Sequence, residues 1–204
     1  MQSYRANWRR RRGSAMAEFG PVLWLFLILI VLPFFDFISF CSGVATVMMM
    51  STMSARQAAG ALTFGDAQAG AASTEQQLKS FLKFSKATPG FPTGSGVQVT
   101  VLVTPSNPAS GLTSQGPFST WGSIPNGDPN RADANTYNSS TCIYQYIVTS
   151  KYDVMPLFNF AGSPMLKGIP GLGAAVPVTY SATATVEHVD GLNQGPTSAA
   201  ASGS

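Results

Sequence analysis

The residues whose types and spacing could do chemistry lie in one short junction, Arg9-Arg10-Arg11-Arg12-Gly13-Ser14-Ala15-Met16-Ala17-Glu18-Phe19, where a basic run meets an apolar one. Four consecutive arginines attract an anionic membrane surface at roughly 1 kcal/mol each and resist translocation. They are expected to hold their end of the chain in the cytoplasm and to send the chain beyond the apolar run outward. The junction reads as a topology signal and a processing site together. Glu18 poses a separate question, because a carboxylate at the edge of an apolar helix is costly in hydrocarbon unless it has a partner. Two readings are open. Glu18 lies in the headgroup layer, drawn by the arginines and the helix N-terminus, or it is a functional carboxylate with a specific cationic partner.

The element that must position these groups is the apolar stretch from Phe19 to Val47, which carries one further charge, Asp36, and is densest between Val22 and Phe35. A hydrocarbon core of about 30 Å needs about 20 such residues as helix, and Phe19 to Phe40 supplies that length. A cleaved secretory signal has an apolar region of roughly 7 to 15 residues, so this run is too long for one, although Gly43-Val44-Ala45 offers a weak small-x-small site. A lipoprotein reading through Cys41 fails on the bulk of Phe40 just before it.

A cut after Gly13 would make Ser14 the new N-terminus and Glu18 its fifth residue, with the apolar helix beginning at once. This junction resembles the class III signal of type IV pilin-like proteins, whose short basic leader ending in glycine is removed by a prepilin peptidase on the cytoplasmic face. Its form is similar to that of the TadE-type minor pilins, or pseudopilins, of tight-adherence (Tad, Flp) pilus systems. Asp36-Phe37, the segment Ala55-Arg56-Gln57-Ala58-Ala59 and short alternating strands in the C-terminal half add to the likeness. Pro21 and the segment from Pro105 to Thr141 depart from it. The resemblance implies a structural subunit of a Tad (Flp) pilus, single-pass in the bacterial inner membrane with its C-terminal domain periplasmic. It implies the prepilin peptidase, other pilins or pseudopilins and the assembly platform as partners, and it implies that Glu18 pairs with the freed amino group of a neighbouring subunit.

Composition agrees with an exported chain: 204 residues, 10% charged, mean hydropathy +0.13. Arg5 and Arg9 to Arg12 account for the basic balance. Beyond Gly13 seven basic and nine acidic side chains leave a formal charge of −2, with no patch for nucleic acid.

The chain divides into a basic leader (1–13), a transmembrane and extended N-terminal helix (14–62), an extracytoplasmic α+β domain (63–190) and a flexible tail (191–204). The helix, if unbroken from Ser14 to Leu62, measures roughly 70 Å. A second helix is expected from Thr74 to Phe84, capped by Ser73 or Thr74 with Gln76 or Gln77 completing a capping box, and with Leu78, Phe81 and Leu82 on its apolar face. Strands are expected at Val97–Val103, Cys142–Val148 and Val176–Val186, forming a small antiparallel sheet packed on the outer part of the rod. Pro105 to Thr141 reads as a long loop, with Phe118 and Trp121 either pinning it to the sheet or exposed for adhesion.

Catalytic chemistry is poorly provided for, and no enzyme, cofactor or metal is expected. Met48, Met49, Met50 and Met53 cannot all face one side of a helix, so apolar packing is preferred to a copper site. Cys41 and Cys142 are read as two buried thiols, since a bridge between them would join the membrane helix to a distant strand. Lys167 to Gly173 has the glycines of a phosphate loop without its Gly-Lys-Ser/Thr ending. His188, beside Glu187 and Asp190, is read as solvated. The competing function is an uncleaved, signal-anchored extracytoplasmic binding domain, which loss of Met1 to Gly13 would exclude.

Overall fold

The structure is a computed structural model that describes residues 19–83, 87–125, 137–158 and 174–192. It is a mixed α+β fold: a long apolar helix, a second helix and a curled antiparallel sheet. Helix α1 spans Phe19–Ala59. It runs through Pro21 and contains a π turn at Leu27–Val31, in which the Leu32 N–H bonds to the Leu27 carbonyl. The cause is Pro33, whose ring has no N–H and would clash with the carbonyl one turn back; a widened turn relieves both defects without ending the helix.

α1 has two halves of different character. From Phe19 to Ile30 its large side chains are exposed all round, Trp24 and Leu29 by 66% and 69%. From Asp36 onward a stripe at three- and four-residue spacing is buried: Asp36, Ser39, Gly43, Thr46, Val47, Met50, Ser54 and Ala58. Most of these are small, which lets the sheet approach closely. Met50 is fully buried whereas Met48, Met49 and Met53 stay largely exposed, as the helical spacing requires. Cys41 is exposed, contrary to the expectation of two buried thiols, because it falls off this stripe; Cys142 is buried.

Helix α2 covers Phe64–Leu82, beginning ten residues before the expected Thr74. Its cap is Thr63, whose hydroxyl accepts from the Asp66 N–H at 3.0 Å. Thr74 lies inside the helix, where its hydroxyl bonds back to the Gly70 carbonyl at 3.1 Å and to the Gln57 side chain. The alanine-rich turns before Thr74 carry no strong periodicity, and contact with α1 makes them helical: a Cβ on Gly70 would sit 3.2 Å from Gln57. Leu78 and Leu82 are buried as expected, but Phe81 is 60% exposed, one step off the packed face.

The sheet contains β1 (Ala87–Pro89), β2 (Val97–Pro105), β3 (Gln115–Phe118), β4 (Cys142–Val154) and β5 (Val176–Thr185). β4 is the centre. It pairs antiparallel with β2 and β1 along one side and with β5 along the other, while β3 extends the sheet beyond β2. The three expected strands are present, β4 running six residues further than expected. Pro105 to Thr141 is not the structureless run expected of it: Pro108–Ser110 and Trp121–Ser123 are 3-10 turns, and β3 pairs with β2. Phe118 is half-buried against the core, the pinning role; the ring of Trp121, like Lys167–Gly173 and the tail beyond Leu192, lies outside the described residues.

Every even-numbered residue of β4 is buried beneath the helices. Tyr144, Tyr146 and Val148 join Phe64, Val101, Val103 and Ile124 in the main core, with Phe64 stacked on Tyr146 at 6.2 Å between ring centres.

Candidate functional site

The described structure begins immediately after Glu18. Arg9, Arg10, Arg11, Arg12, Gly13, Ser14 and Glu18 all lie outside it. What it does describe is the platform those residues lead into. Phe19 to Phe35 contains no charge and buries almost nothing against the rest of the chain. At 1.5 Å per residue these 17 residues span roughly 25 Å, close to a hydrocarbon core. α1 is thus long and apolar enough to cross a membrane.

Asp36 marks the end of the exposed apolar half. It is fully buried, and its Oδ1 accepts the backbone N–H of Phe158 at 2.9 Å. That bond ties the segment after β4 to the point on α1 where packing against the sheet begins. Its second oxygen, Oδ2, has no hydrogen-bond partner among the described residues.

The far half of α1 is tied down along its length. The Ser51 hydroxyl donates to the Tyr180 carbonyl of β5 at 2.8 Å, and the Glu187 N–H donates to the Ala59 carbonyl at 3.2 Å. Gly191 rests so closely on Leu62 that a Cβ there would lie 1.8 Å from the Leu62 carbonyl oxygen.

A second carboxylate, Glu75 of α2, is 4% exposed and holds α2 to the sheet. Its Oε1 accepts from the Tyr152 hydroxyl at 2.6 Å and from the Gly96 N–H at 2.9 Å, and its Oε2 accepts from the Ser95 hydroxyl at 2.8 Å. Lys79 completes the ring at 3.2 Å, one helical turn along. Burial alone would raise the carboxyl's pKa, but the bonds from Tyr152, Gly96, Ser95 and Lys79 hold it below its ordinary value. Burial and the facing Glu75 push the Tyr152 hydroxyl upward. Four groups of its own chain converge on this carboxylate, and with the tyrosine kept protonated they lock α2 to β4 and to the turn ahead of β2. Gly96 is required here, since a Cβ would fall 2.0 Å from the Tyr152 ring.

Glu75 and Tyr152 are 77 residues apart, and neither was singled out by local sequence pattern. The one local signal was the Gly94-Ser95-Gly96 turn ahead of β2, with Gly94 in the left-handed region at φ 76°.

His188 is exposed, as are Glu187 and Asp190, and among the described residues no three His, Cys, Asp or Glu side chains come together as a metal site would need. An open groove of about 380 Å³ between α2 and β2 is lined by Gln68, Phe91, Pro92, Gln98 and Ser119. None of its described lining residues is titratable. No protein-family model, no curated protein and no solved structure matches the chain.

Proposed function

We propose that this chain is a structural subunit rather than an enzyme: a minor pilin or pseudopilin resembling the TadE type, anchored in the inner membrane by Phe19 to Phe40 and processed by a prepilin peptidase between Gly13 and Ser14. The observation that carries the reading is continuity. The Gly13-to-Phe19 junction runs directly into a helix whose first half is free of its own domain and whose second half is clamped along that domain. A subunit that assembles by packing apolar helices needs that division: one surface left for lipid and neighbours, and a rigid connection that carries the outer domain with it.

In this mechanism the arginines keep Met1 to Gly13 at the cytoplasmic surface, where the bond after Gly13 is cut. The new amino group of Ser14 then meets Glu18 of a neighbouring helix, so two charges enter an apolar bundle as a pair. Loss of one partner from such a buried pair costs about 3 to 5 kcal/mol, against under about 1 for an exposed pair. Glu18→Gln is therefore expected to leave membrane insertion and the outer domain intact while sharply reducing incorporation into pili. Wild-type piliation in cells whose only copy carries Glu18→Gln would return Glu18 to the headgroup-layer reading.

A further inference from the structure

Among the described residues, the outer edge of β5 is left unpaired along its whole length. The Val186 N–H donates to the Tyr144 carbonyl at 2.9 Å, and the register from there fixes which groups point where. In an antiparallel ladder bonded pairs recur every second residue, so Val176, Val178, Tyr180, Ala182 and Ala184 turn their backbone groups to β4. Pro177, Thr179, Ser181, Thr183 and Thr185 turn theirs away. These five are exposed, and among the described residues no backbone hydrogen bond reaches them from the outer side.

Natural sheets usually blunt such an edge with charge, proline, a bulge or brevity. The opposite margin of this sheet does so: β3 is four residues with Pro117 and a register shift against Val101 and Val103, and β1 is three residues ending in Pro89. β5 runs ten residues in regular register without a charge, and its one proline is at the second position.

We propose that this edge docks an extended strand of a different polypeptide in the same envelope, by strand addition to the sheet. The geometry argues against a second copy, an argument that rests on the reading of Phe19 to Phe40 as a membrane anchor. Phe158, just past β4, meets Asp36 at the inner end of the domain, and Glu187, just past β5, meets Ala59 at its outer end. β5 therefore runs in the same direction as α1. Two β5 edges paired antiparallel would place their anchors at opposite ends, which one membrane forbids. Paired parallel about a two-fold axis, each outward residue would face its own counterpart, whereas a parallel ladder needs it to bond the residues one step to either side. β1 and β3 are too short to serve as mates in a head-to-tail row. The incoming strand is uncharged, with alternate apolar side chains continuing the row of Val178, Tyr180, Ala182 and Ala184, and β-branched or hydroxyl side chains beside the threonines.

The test is residue-resolved hydrogen exchange on the full chain, compared between lipid nanodiscs holding one copy and native membranes of producing cells. The amides of Thr179, Ser181, Thr183 and Thr185 are expected to exchange freely in the nanodisc and about 100-fold more slowly in native membranes, while Ala182 and Ala184 are slow in both. Thr183→Pro removes one outward N–H and none that bonds β4, so it is expected to abolish the slowing without lowering the melting temperature. Slow exchange already in single-copy nanodiscs, or free exchange in native membranes, overturns the proposal. Slowing in nanodiscs loaded with several copies and nothing else identifies a second copy as occupant and overturns it equally. Alkaline washing of the same membranes tests the anchor separately: release refutes the membrane reading, and the edge amides are then scored on the released protein by the same criterion.

Discussion

Removing the charge of Glu75 while keeping its shape should loosen the α+β domain by about 2 to 3 kcal/mol. The figure follows from the bonds present. The Tyr152 hydroxyl at 2.6 Å and the Gly96 N–H at 2.9 Å both reach a buried charged oxygen. A hydrogen bond to an ionised group is worth about 1.5 to 3 kcal/mol and a neutral one about 0.5 to 1.5, so Glu75→Gln forfeits roughly 1 to 1.5 at each. The Ser95 hydroxyl can turn to the Val97 carbonyl, which it already approaches at 2.9 Å, and accept from the new amide. Lys79 is half-exposed and adds under about 1. Glu75→Ala strands the tyrosine hydroxyl and the amide together and should cost about 3 to 5 kcal/mol. The assay is denaturant unfolding of the full chain in detergent, followed by near-ultraviolet dichroism of the buried tyrosines, with the midpoint shifting at constant slope. pH supplies an independent arm. A carboxyl whose folded pKa is lowered stabilises the fold above its ordinary value of 4.5, and that stability drains as pH falls through the folded value. Wild type should therefore weaken below about pH 4.5 more steeply than Glu75→Gln. If both variants unfold within about 0.5 kcal/mol of wild type, and the acid limbs coincide, the locking role of this carboxylate is wrong.

At the alkaline end, burial and then the charge of Asp66 push the Tyr146 hydroxyl up to about 12, so its contribution is whole below pH 10 and is lost as pH climbs from 10 through 12. Tyr146→Phe should flatten that limb in a pH series of melting curves, and an unchanged limb would discount Tyr146. Gly96→Ala drives a methyl into the Tyr152 ring, and an overpacking cost of about 1 to 3 kcal/mol is expected in the same unfolding assay, with wild-type stability as the contrary result. On the proposed topology, with the arginines inside, protease added to spheroplasts should remove the domain from Thr74 onward; a protected domain would reverse that topology.

The elements that announced themselves in sequence were those whose signal is local. Phe19 to Phe40 is a continuous apolar run, and the alternations at Val97, Cys142 and Val176 repeat every second residue, so one helix and three strands could be read directly. The start of α2 could not: Thr74 has the chemistry of a cap, but Gln57 of α1 bonds it within the helix, a contact invisible until α1 and α2 are packed together. β3 was illegible for a related reason, since Gly116 and Pro117 read as loop and only the unpaired side of β2 makes them a strand. Nothing local distinguishes Glu75 within the α2 segment; its partners arrive from Gly96 and from Tyr152, far along the chain. Asp36 was conspicuous as the one charge within an apolar stretch, yet its bond to Phe158 depends on where β4 ends.

The most direct test of the central claim is the intact mass and N-terminal sequence of the full chain extracted from membranes of cells that carry a prepilin peptidase. Loss of Met1 to Gly13 and an N-terminus at Ser14 are expected, with Gly13→Arg retained at full length in the same membranes. A wild-type chain that begins at Met1 in peptidase-positive cells, or that is shortened equally with and without the peptidase, would contradict it.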